Sequence, residues 1–435
     1  MIAKNQKQQE RCPPTPIPVK AGHTRFEWLK LVATLAIPVA IGVFTIMNNF
    51  QQMNLSKSQF ENQLRIANDN RQNDIRVAEE ARVNDLRIAQ KDREKDLQMA
   101  DNQQKQAVLI EYQNFLAELL LKEGIRLNGS NSEAARFVAR FKTLTGFSQL
   151  NPERKAFLFK SLYEVKLITN NDEFESAIVS LASADLTNII LGLPRDSDVL
   201  PGFKGPCFTN LHLSGADLTN ASFRGVRFSN ITFANAVLDN ADFGYTEDAG
   251  KFIDFQGSSL QSANFFNANY KVAYYIQFQG AKFNNARLMN FICVRCGFTS
   301  TIMQEANMTN ARFTSCQFIL TKMLNCIMVD IFIKNSTFDE TDLTGCDMRG
   351  AIFEYTTFSE KTQLIGADMS LIELRHCDFS NTNLSGCNMT RAILNGTSFL
   401  NSNLSGCVGL NEWQLRQTKS LAGSTLPNGT LVRAK

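Results

Sequence analysis

Histidine is scarce in this 435-residue chain, with three in all, at His23, His212 and His376. None is placed with both a nucleophile and an orienting acid, so hydrolysis by a Ser-His-Asp type of device has no candidate residues. A P-loop and a helix-opening G-x-G-x-x-G are also missing, which removes the usual phosphate-cradling motifs of nucleotide enzymes. Net charge is small: 45 Lys or Arg against 42 Asp or Glu gives +3. That balance makes no electrostatic case for a nucleic acid or an acidic partner. Gly and Pro are absent from residues 43 to 123, and charge is absent from Leu31 to Ser56. No residue is assigned a catalytic, cofactor-binding or metal-ligating role. With 44% hydrophobic and 20% charged residues the chain is not globally disordered, and its length accommodates two or three domains.

Residues 1–30 are polar and Pro-rich around Pro13, Pro14, Pro16 and Pro18, which reads as a disordered arm. The apolar run Leu31 to Met47 follows, at the lower edge of the length that crosses a bilayer core. It lacks a small-residue cleavage site after a short leader, which disfavours a signal peptide. We expect a single transmembrane helix over 31–50, with a buried helix of a soluble domain as the alternative. Six Lys or Arg precede the span, and two (Lys57 and Arg65) lie in the twenty residues after it. That bias predicts a single-pass membrane protein with a cytosolic N-terminus.

Residues 51–108 carry an eleven-residue repeat: RIANDNRQNDI from Arg65, RVAEEARVNDL from Arg76, RIAQKDREKDL from Arg87 and a decayed copy from Gln98. Eleven residues over three turns is the period of a straight or slightly right-handed helical supercoil. Interleaved Asp and Arg suit a solvated helix laced with i,i+4 pairs. The apolar lines are thin: Ile66, Val77, Ile88 and Met99 form one, and Ile75, Leu86 and Leu97 another on nearly the opposite side. The segment is therefore read as a helical stalk, about 80 Å from Asn54 to Val108. It is either an isolated spacer or a coiled coil supporting a homo-oligomer.

Residues 109–200 regain ordinary amphipathic helix character. Gly124 is a stop for a helix from Val108, Ser132 a cap for one through Phe137, Phe141 and Leu144, and Asn151-Pro152-Glu153 a start for the next. A helical domain here would cover the exposed first coil of a following solenoid.

From Phe203 to Leu404 a large apolar residue returns at every fifth position, with three slips of phase. Of 40 such centres 36 are Phe, Leu or Met. Two residues before each centre sits a small side chain, as at Ala216, Ala221, Ala263, Ala306 and Ala351, and Asp or Asn often lies between them, as at Asp217, Asp242 and Asn307. Neither a helical period of 3.6 nor a strand period of 2 places every fifth residue inside. A coil that turns a corner every five residues does. Units such as Gly215-Ala216-Asp217-Leu218-Thr219 resemble those of the pentapeptide-repeat family, A(D/N)LXX. The resemblance implies a right-handed quadrilateral β-helix over 201–409 with four units per coil. Ten such coils would make a rod about 48 Å long. Phe141 to Ile168 resembles a helical stretch that precedes the repeats in some membrane-anchored pentapeptide proteins. Ala184-Asp185-Leu186 reads as one stray unit ahead of the array. Residues 410–435 break the period, and Trp413, in a short helix, is expected to cover the last coil.

The register gives the cysteines an address. Cys296, Cys316, Cys326, Cys346, Cys377, Cys387 and Cys407 take the small inward position and Cys293 a centre. All are read as structural thiols packing as small hydrophobes. Cys293-Val-Arg-Cys296 is also a C-x-x-C, a redox pair or half a zinc site, but one pair without a second or a nearby His is a weak signal. Spacings of twenty stack Cys on adjacent coils, where parallel side-chain directions disfavour a disulfide.

The chain as a whole reads as an α+β multidomain protein with a single transmembrane helix, a long polar helical stalk, a small helical domain and a β-helix. Its expected role is a non-catalytic membrane-anchored scaffold whose rod binds an unidentified protein. DNA mimicry, known for some pentapeptide proteins, is the alternative. It is disfavoured because Phe203 to Leu410 holds 15 Lys or Arg against 17 Asp or Glu, a net of −2, far from the charge density of a duplex. Breaks in the period nominate the partner site. Gly244 to Gly250 adds seven residues with Tyr245, Glu247 and Asp248, and a second slip after Tyr270 brings Lys271, Tyr274 and Tyr275. Loops leaving a rigid scaffold commonly carry recognition.

Overall fold

The computed structural model describes Thr34, Pro38, Val39 and residues 57–123, 132–169, 177–195, 197–200, 203–250, 252–271, 276–359 and 361–433. The chain divides into two compact units, Met1–Gln103 and Gln104–Lys435.

The expected transmembrane helix is not supported. Among the described residues no helix is long and apolar enough to cross a membrane. Residues 31–50 themselves lie outside the described residues apart from Thr34, Pro38 and Val39. The single-pass location and the cytosolic N-terminus derived from that span fall with it.

Helix α1 (Lys57–Glu123, 67 residues) runs without a break through the eleven-residue repeats. Ile75, Leu86 and Leu97, and likewise Val77, Ile88 and Met99, stand exposed on it, so a coiled coil is not shown. In the second unit the end of α1 buries Leu109, Tyr112 and Leu116. Tyr112 Oη and Thr143 Oγ1 of the next helix lie 2.6 Å apart, and burial pushes that phenol up to about 12.

Helix α2 (Ser132–Gln149) and helix α3 (Pro152–Glu164) follow. On α2 the buried face is Ala139, Thr143, Phe147 and, just beyond the helix, Leu150. Of the three apolar residues read on this helix, Phe137 is 67% exposed and Phe141 is exposed too, while Leu144 is partly buried and packs against the core. Asn151 caps α3 as expected, its side chain accepting from the Arg154 N–H at 3.1 Å, with Pro152 at the first helical position. The helices close the first coil of the solenoid. Phe159 and Tyr163 set their rings edge-on to Phe208, with centroids 5.8 and 5.0 Å away, and Lys155 Nζ lies 2.7 Å from Asp185.

The solenoid is a continuous ladder of short parallel strands in which each residue pairs with one about twenty positions on. Strands β1 (Cys207–His212), β2 (Arg227–Thr232), β3 (Glu247–Asp248) and β5 (Asn269–Tyr270) open one face. Strands β7 (Ile292–Val294), β9 (Arg312–Thr314), β11 (Phe332–Lys334), β13 (Ile352–Glu354) and β15 (Glu373–Arg375) continue it. The neighbouring face carries β4 (Ile253–Asp254), β6 (Ile276–Gln277), β8 (Cys296–Gly297), β10 (Gln317–Ile319), β12 (Thr337–Asp339) and β14 (Thr357–Phe358). Isolated parallel bridges such as Asp217↔Val237 and Asp242↔Asn264 make the other two faces. Asp185↔Asp217 and Ile190↔Ser222 extend these ladders ahead of the main array; beyond Leu404, Asn403↔Thr425 extends one of them and Ser398↔Ser420 the face of β14. Phe203, by contrast, is 43% exposed and is no core centre.

Three local rules explain why this sequence makes square coils. At each corner, the second residue after the centre has positive φ: Asn210, Asn220, Asn230, Asn240, Asn285 and Asn310 all lie between 56° and 58° apart from Asn230 at 55°. Asn and Gly tolerate that left-handed region best. The Asp or Asn just before the centre then caps the turn: Asp217 Oδ1 accepts from the Thr219 N–H at 3.0 Å and from Thr219 Oγ1 at 2.7 Å. Inside, rings stack one coil above another, as in Phe298–Phe318–Phe338–Phe358 with centroids 4.8, 4.6 and 4.8 Å apart, close to the spacing of paired strands.

After Cys407 a short helix α4 (Glu412–Arg416) interrupts the coil. Trp413 does not cover the end; it is 66% exposed. Gln414 is the buried residue, donating to the Met389 and Ala392 carbonyls at 3.1 and 2.9 Å. The end of a β-coil presents unpaired carbonyls; the Gln414 amide NH2 donates to two of them at once, whereas an indole has a single N–H to offer.

Candidate interaction surface of the solenoid

The inward positions are closed to chemistry. The small site holds mostly Ala, Cys, Thr or Ser, with larger exceptions such as Val226, Ile231, Ile331 and Ile372, and a hydroxyl or thiol there donates to a nearby carbonyl, in several coils one of the preceding coil. Thr341 Oγ1 reaches the Phe318 carbonyl at 2.6 Å, and the Cys326, Cys346, Cys387 and Cys407 thiols reach Met303, Met323, Leu364 and Leu384 at 2.8 to 3.0 Å. Burial pushes the Cys316 and Cys377 thiols up to about 12 and about 11, so both are protonated and unreactive at neutral pH.

Cys293 and Cys296 both point inward, as the register requires, but they are joined as a disulfide with Cα atoms 6.1 Å apart. The reading of these two as free thiols is therefore corrected. Centre and next small site turn toward each other across one corner of the coil, a proximity that the five-residue period does not reveal. Among the described residues no cluster of three His, Cys, Asp or Glu side chains could hold a metal ion. His23 lies outside the described residues. His212 ends β1, and His376 stacks on Tyr355 with centroids 5.3 Å apart.

The segment Gly244 to Gly250 is not a loop. Glu247 and Asp248 form β3, pairing with Arg227 and Phe228 on one side, and Glu247 pairs with Asn269 on the other. Asp248 occupies a centre position and is buried. A polar residue at a centre hid this unit from a search for apolar periodicity. Tyr245 lies on the wall, with the Arg224 guanidinium 4.7 Å over its ring and Phe266 at 5.6 Å. Tyr270 is fully buried, its hydroxyl 2.8 Å from Thr246 Oγ1. Tyr274 and Tyr275 lie outside the described residues.

What remains for recognition is the outward columns. Two shallow grooves run along them. One, about 500 Å³, is lined by Arg195, Asn240, Asp242, Ser262, Asn264, Asn285 and Arg287. Its floor is tied down: Asp242 Oδ1 accepts from Asn264 Nδ2 and the Gly244 N–H, both at 2.8 Å, and Arg224 pairs with the carboxylate at 3.6 Å. The other, about 470 Å³, is lined by Asn290, Asn310, Arg312, Asp330, Phe332 and Ile352. Here the column Ile292–Arg312–Phe332–Ile352 is one ladder of the face, and the Arg312 guanidinium lies 6.0 Å from the centre of the Phe332 ring. Next to it Glu354 is bound by Lys334 at 2.9 Å and Arg375 at 2.6 Å. Those two cations hold its carboxyl below the usual range against the opposing effect of burial. Periodicity sees none of these contacts, since they join residues twenty apart.

The family model of pentapeptide repeats matches this chain in eight copies, over residues 207–244, 324–354, 333–370 and 372–408. Over those residues the chain carries pentapeptide repeats wound into a right-handed β-solenoid. No curated protein matches it in sequence. Among solved structures it is similar to HetL, a pentapeptide repeat protein involved in heterocyst differentiation regulation in the cyanobacterium Nostoc. The identity is 20%, over 58% of this chain and 93% of that one, with a TM-score of 0.28. It is similar also to QnrB1, a plasmid-mediated fluoroquinolone resistance protein, at 18% identity over 51% and 94% of the two chains and a TM-score of 0.21. A pentapeptide repeat protein of the Arabidopsis thaliana thylakoid lumen shares 22% identity over 34% and 79%, with a TM-score of 0.13. Likenesses this distant carry no argument about function.

Proposed function

We propose that this protein is a non-catalytic scaffold whose solenoid binds another protein through its outward columns. One observation supports the reading most: a flat face presents Arg312 over Phe332 between Ile292 and Ile352, beside a groove of about 470 Å³. Aromatic and Arg side chains on rigid backbone are the residue types that dominate binding energy at protein interfaces. The backbone beneath them is fully paired, so the face loses little conformational entropy when a partner docks.

The test is affinity capture with the full chain and two variants, Arg312→Glu and Phe332→Ser, each checked for an unchanged melting temperature. Loss of the same captured protein by both variants is expected. Capture at undiminished yield by both would remove this face from consideration. DNA mimicry gains no support from the rod, because Phe203 to Leu410 nets only −2, with 15 Lys or Arg against 17 Asp or Glu, far from the charge density of a duplex.

A further inference from the structure

Strands β7, β9, β11, β13 and β15 each send two side chains outward, one on either side of the inward centre, and the strand pairing stacks these into two columns. The first column reads Ile292, Arg312, Phe332, Ile352, Glu373 and, through the bridge beyond β15, Ile393. The second reads Val294, Thr314, Lys334, Glu354 and Arg375, followed by Asn395. Both columns rise from the same strands, so a single plane touches both. Each column is complementary to its own reverse. Taken from its ends inward, the first sets Ile with Ile, Arg with Glu and Phe with Ile, and the second has Lys beside Glu at its middle.

We propose that this face docks on the same face of a second copy of the chain, the two rods antiparallel, an inference that rests on the scaffold reading above and names its partner. A twofold axis in the plane of contact, perpendicular to the rods and crossing between Phe332 and Ile352, keeps each column opposite itself and reverses its direction. Ile292 then meets Ile393 of the second copy, which is 42% exposed in the single chain, and Phe332 meets Ile352. Arg312 has an aromatic neighbour but no carboxylate of its own chain among the described residues, and it faces Glu373. Lys334 faces Glu354. Since Lys334 also holds Glu354 of its own chain at 2.9 Å, the four groups around the axis form a ring of alternating sign. Farther out Thr314 faces Arg375 and Val294 faces Asn395, so no like charges oppose each other in either column. At the two flanking corners Asp330 meets Gly350 and Asn335 meets Tyr355.

Charge also selects the register. An axis through Phe332 sets Lys334 against itself, and one through Ile352 sets Glu354 against itself and Arg375 against Lys334. Moving the axis one coil toward the N-terminus brings Lys271 onto Arg375. Moving it one coil the other way lays the Glu373 carboxylate on Ile352 and Lys334 on Asn395. In the chosen register the two columns overlap over the six coils from Ile292 to Ile393, and the coil of Phe208, where α3 packs, lies four coils, about 19 Å, outside them. Six coils by a face about 13 Å wide bury roughly 750 Å² over both copies, less than a standard interface. The dimer is therefore reversible and concentration-dependent, with Arg312 and Phe332 as its anchors.

Sedimentation of the full chain should show a monomer–dimer equilibrium that weakens as salt screens the ion pairs. Arg312→Glu alone and Glu373→Arg alone each set like charges face to face and should raise the dissociation constant more than about tenfold, with melting temperatures close to that of the parent. An equimolar mixture of the two variants should form a heterodimer of parental strength, because each rod then meets the opposite charge at both positions. Within one rod Arg312 and Glu373 are three coils, about 14 Å, apart, so the rescue must come from two chains. A chain that stays monomeric at low salt up to about 500 µM overturns the proposal. So does a dimer that both reversals leave intact, as one held through α1 would be, or a mixture that fails to restore association. If the pure chain is monomeric while affinity capture retrieves a different protein that Arg312→Glu loses, the scaffold reading stands and the second copy is ruled out as its partner.

Discussion

Phe298 and Phe318 lie one coil apart with ring centroids 4.8 Å apart and planes 1° from parallel. The backbone ladder and the ring stack share one spacing, so neither is stretched to satisfy the other, and the interior rises in step with the wall. Removing one ring leaves a gap that neighbouring coils cannot close without breaking hydrogen bonds. Phe318→Ala should therefore cost about 3–5 kcal/mol in chemical denaturation. In the same way Phe313→Asp should destroy the fold, by leaving a charge unpaired in the core. Arg312→Asp, one residue away but outward, should leave the melting temperature nearly unchanged. Equal losses in the two variants would contradict the register.

Corner positions allow the opposite kind of prediction. Leu320 has φ of +54° and is exposed, a conformation that costs an ordinary L-residue roughly 1–2 kcal/mol. Leu320→Asn should stabilise the rod by about 1 kcal/mol, while Asn310→Val should destabilise it by a similar amount. A melting-temperature change of the wrong sign in either variant would show that packing, not backbone conformation, governs the corner.

The junction of α3 with the solenoid should be sensitive to acid. Partial burial raises the Asp185 carboxyl, but hydrogen bonds from Lys155 and Thr187 outweigh it and leave the group below its ordinary value. A folded value below the unfolded one means that the contribution to stability is complete above about pH 4 and is lost as pH falls through the folded value. Lys155 is only 5% exposed at its side chain, so Asp185→Asn should cost about 2–3 kcal/mol by leaving a buried cation without its counter-charge. The variant should also lose the acid-dependent part of the unfolding curve, followed by circular dichroism from pH 6 to pH 2.

The cysteines should be silent until the rod opens. Cys316, Cys326, Cys346, Cys377 and Cys387 are buried, so maleimide labelling counted by mass spectrometry should be slow in buffer and complete in denaturant. Cys293 and Cys296 should label only after denaturation with a reductant, because they are paired. Rapid native labelling of Cys326 or Cys346 would mean that the interior is open to solvent.

Deleting Gly244 to Gly250 should unfold the array rather than spare it. The deletion removes β3, which pairs with β2 and β5: the Glu247 N–H donates to the Val226 carbonyl at 3.1 Å, and the Asn269 N–H donates to the Thr246 carbonyl at 2.8 Å. A soluble deletion variant with an unchanged melting temperature would restore the view of that segment as a loop.

The five-residue period by itself determined which side chains face inward, from Phe208 to Leu404, because a corner at every fifth residue is a local matter of φ and of one large and one small side chain. The same locality made the α3 cap at Asn151-Pro152 legible, and the end of α1 before Gly124. It failed wherever the deciding contact lies a full coil away or on another element. Asp248 occupies a core centre that no apolar search finds, Cys293 meets Cys296 around a corner, and Gln414 rather than Trp413 seals the last coil because that coil's carbonyls need a donor. On α2 Phe137 and Phe141 are as apolar as Phe147, and only the packing of other elements, such as Tyr112 of α1 against Thr143, decides which side is buried. The outward columns are likewise a product of tertiary structure. Arg312 and Phe332, or Arg312 and Glu373, are twenty and sixty-one residues apart along the chain, and only the rise of the solenoid from coil to coil sets them on one face.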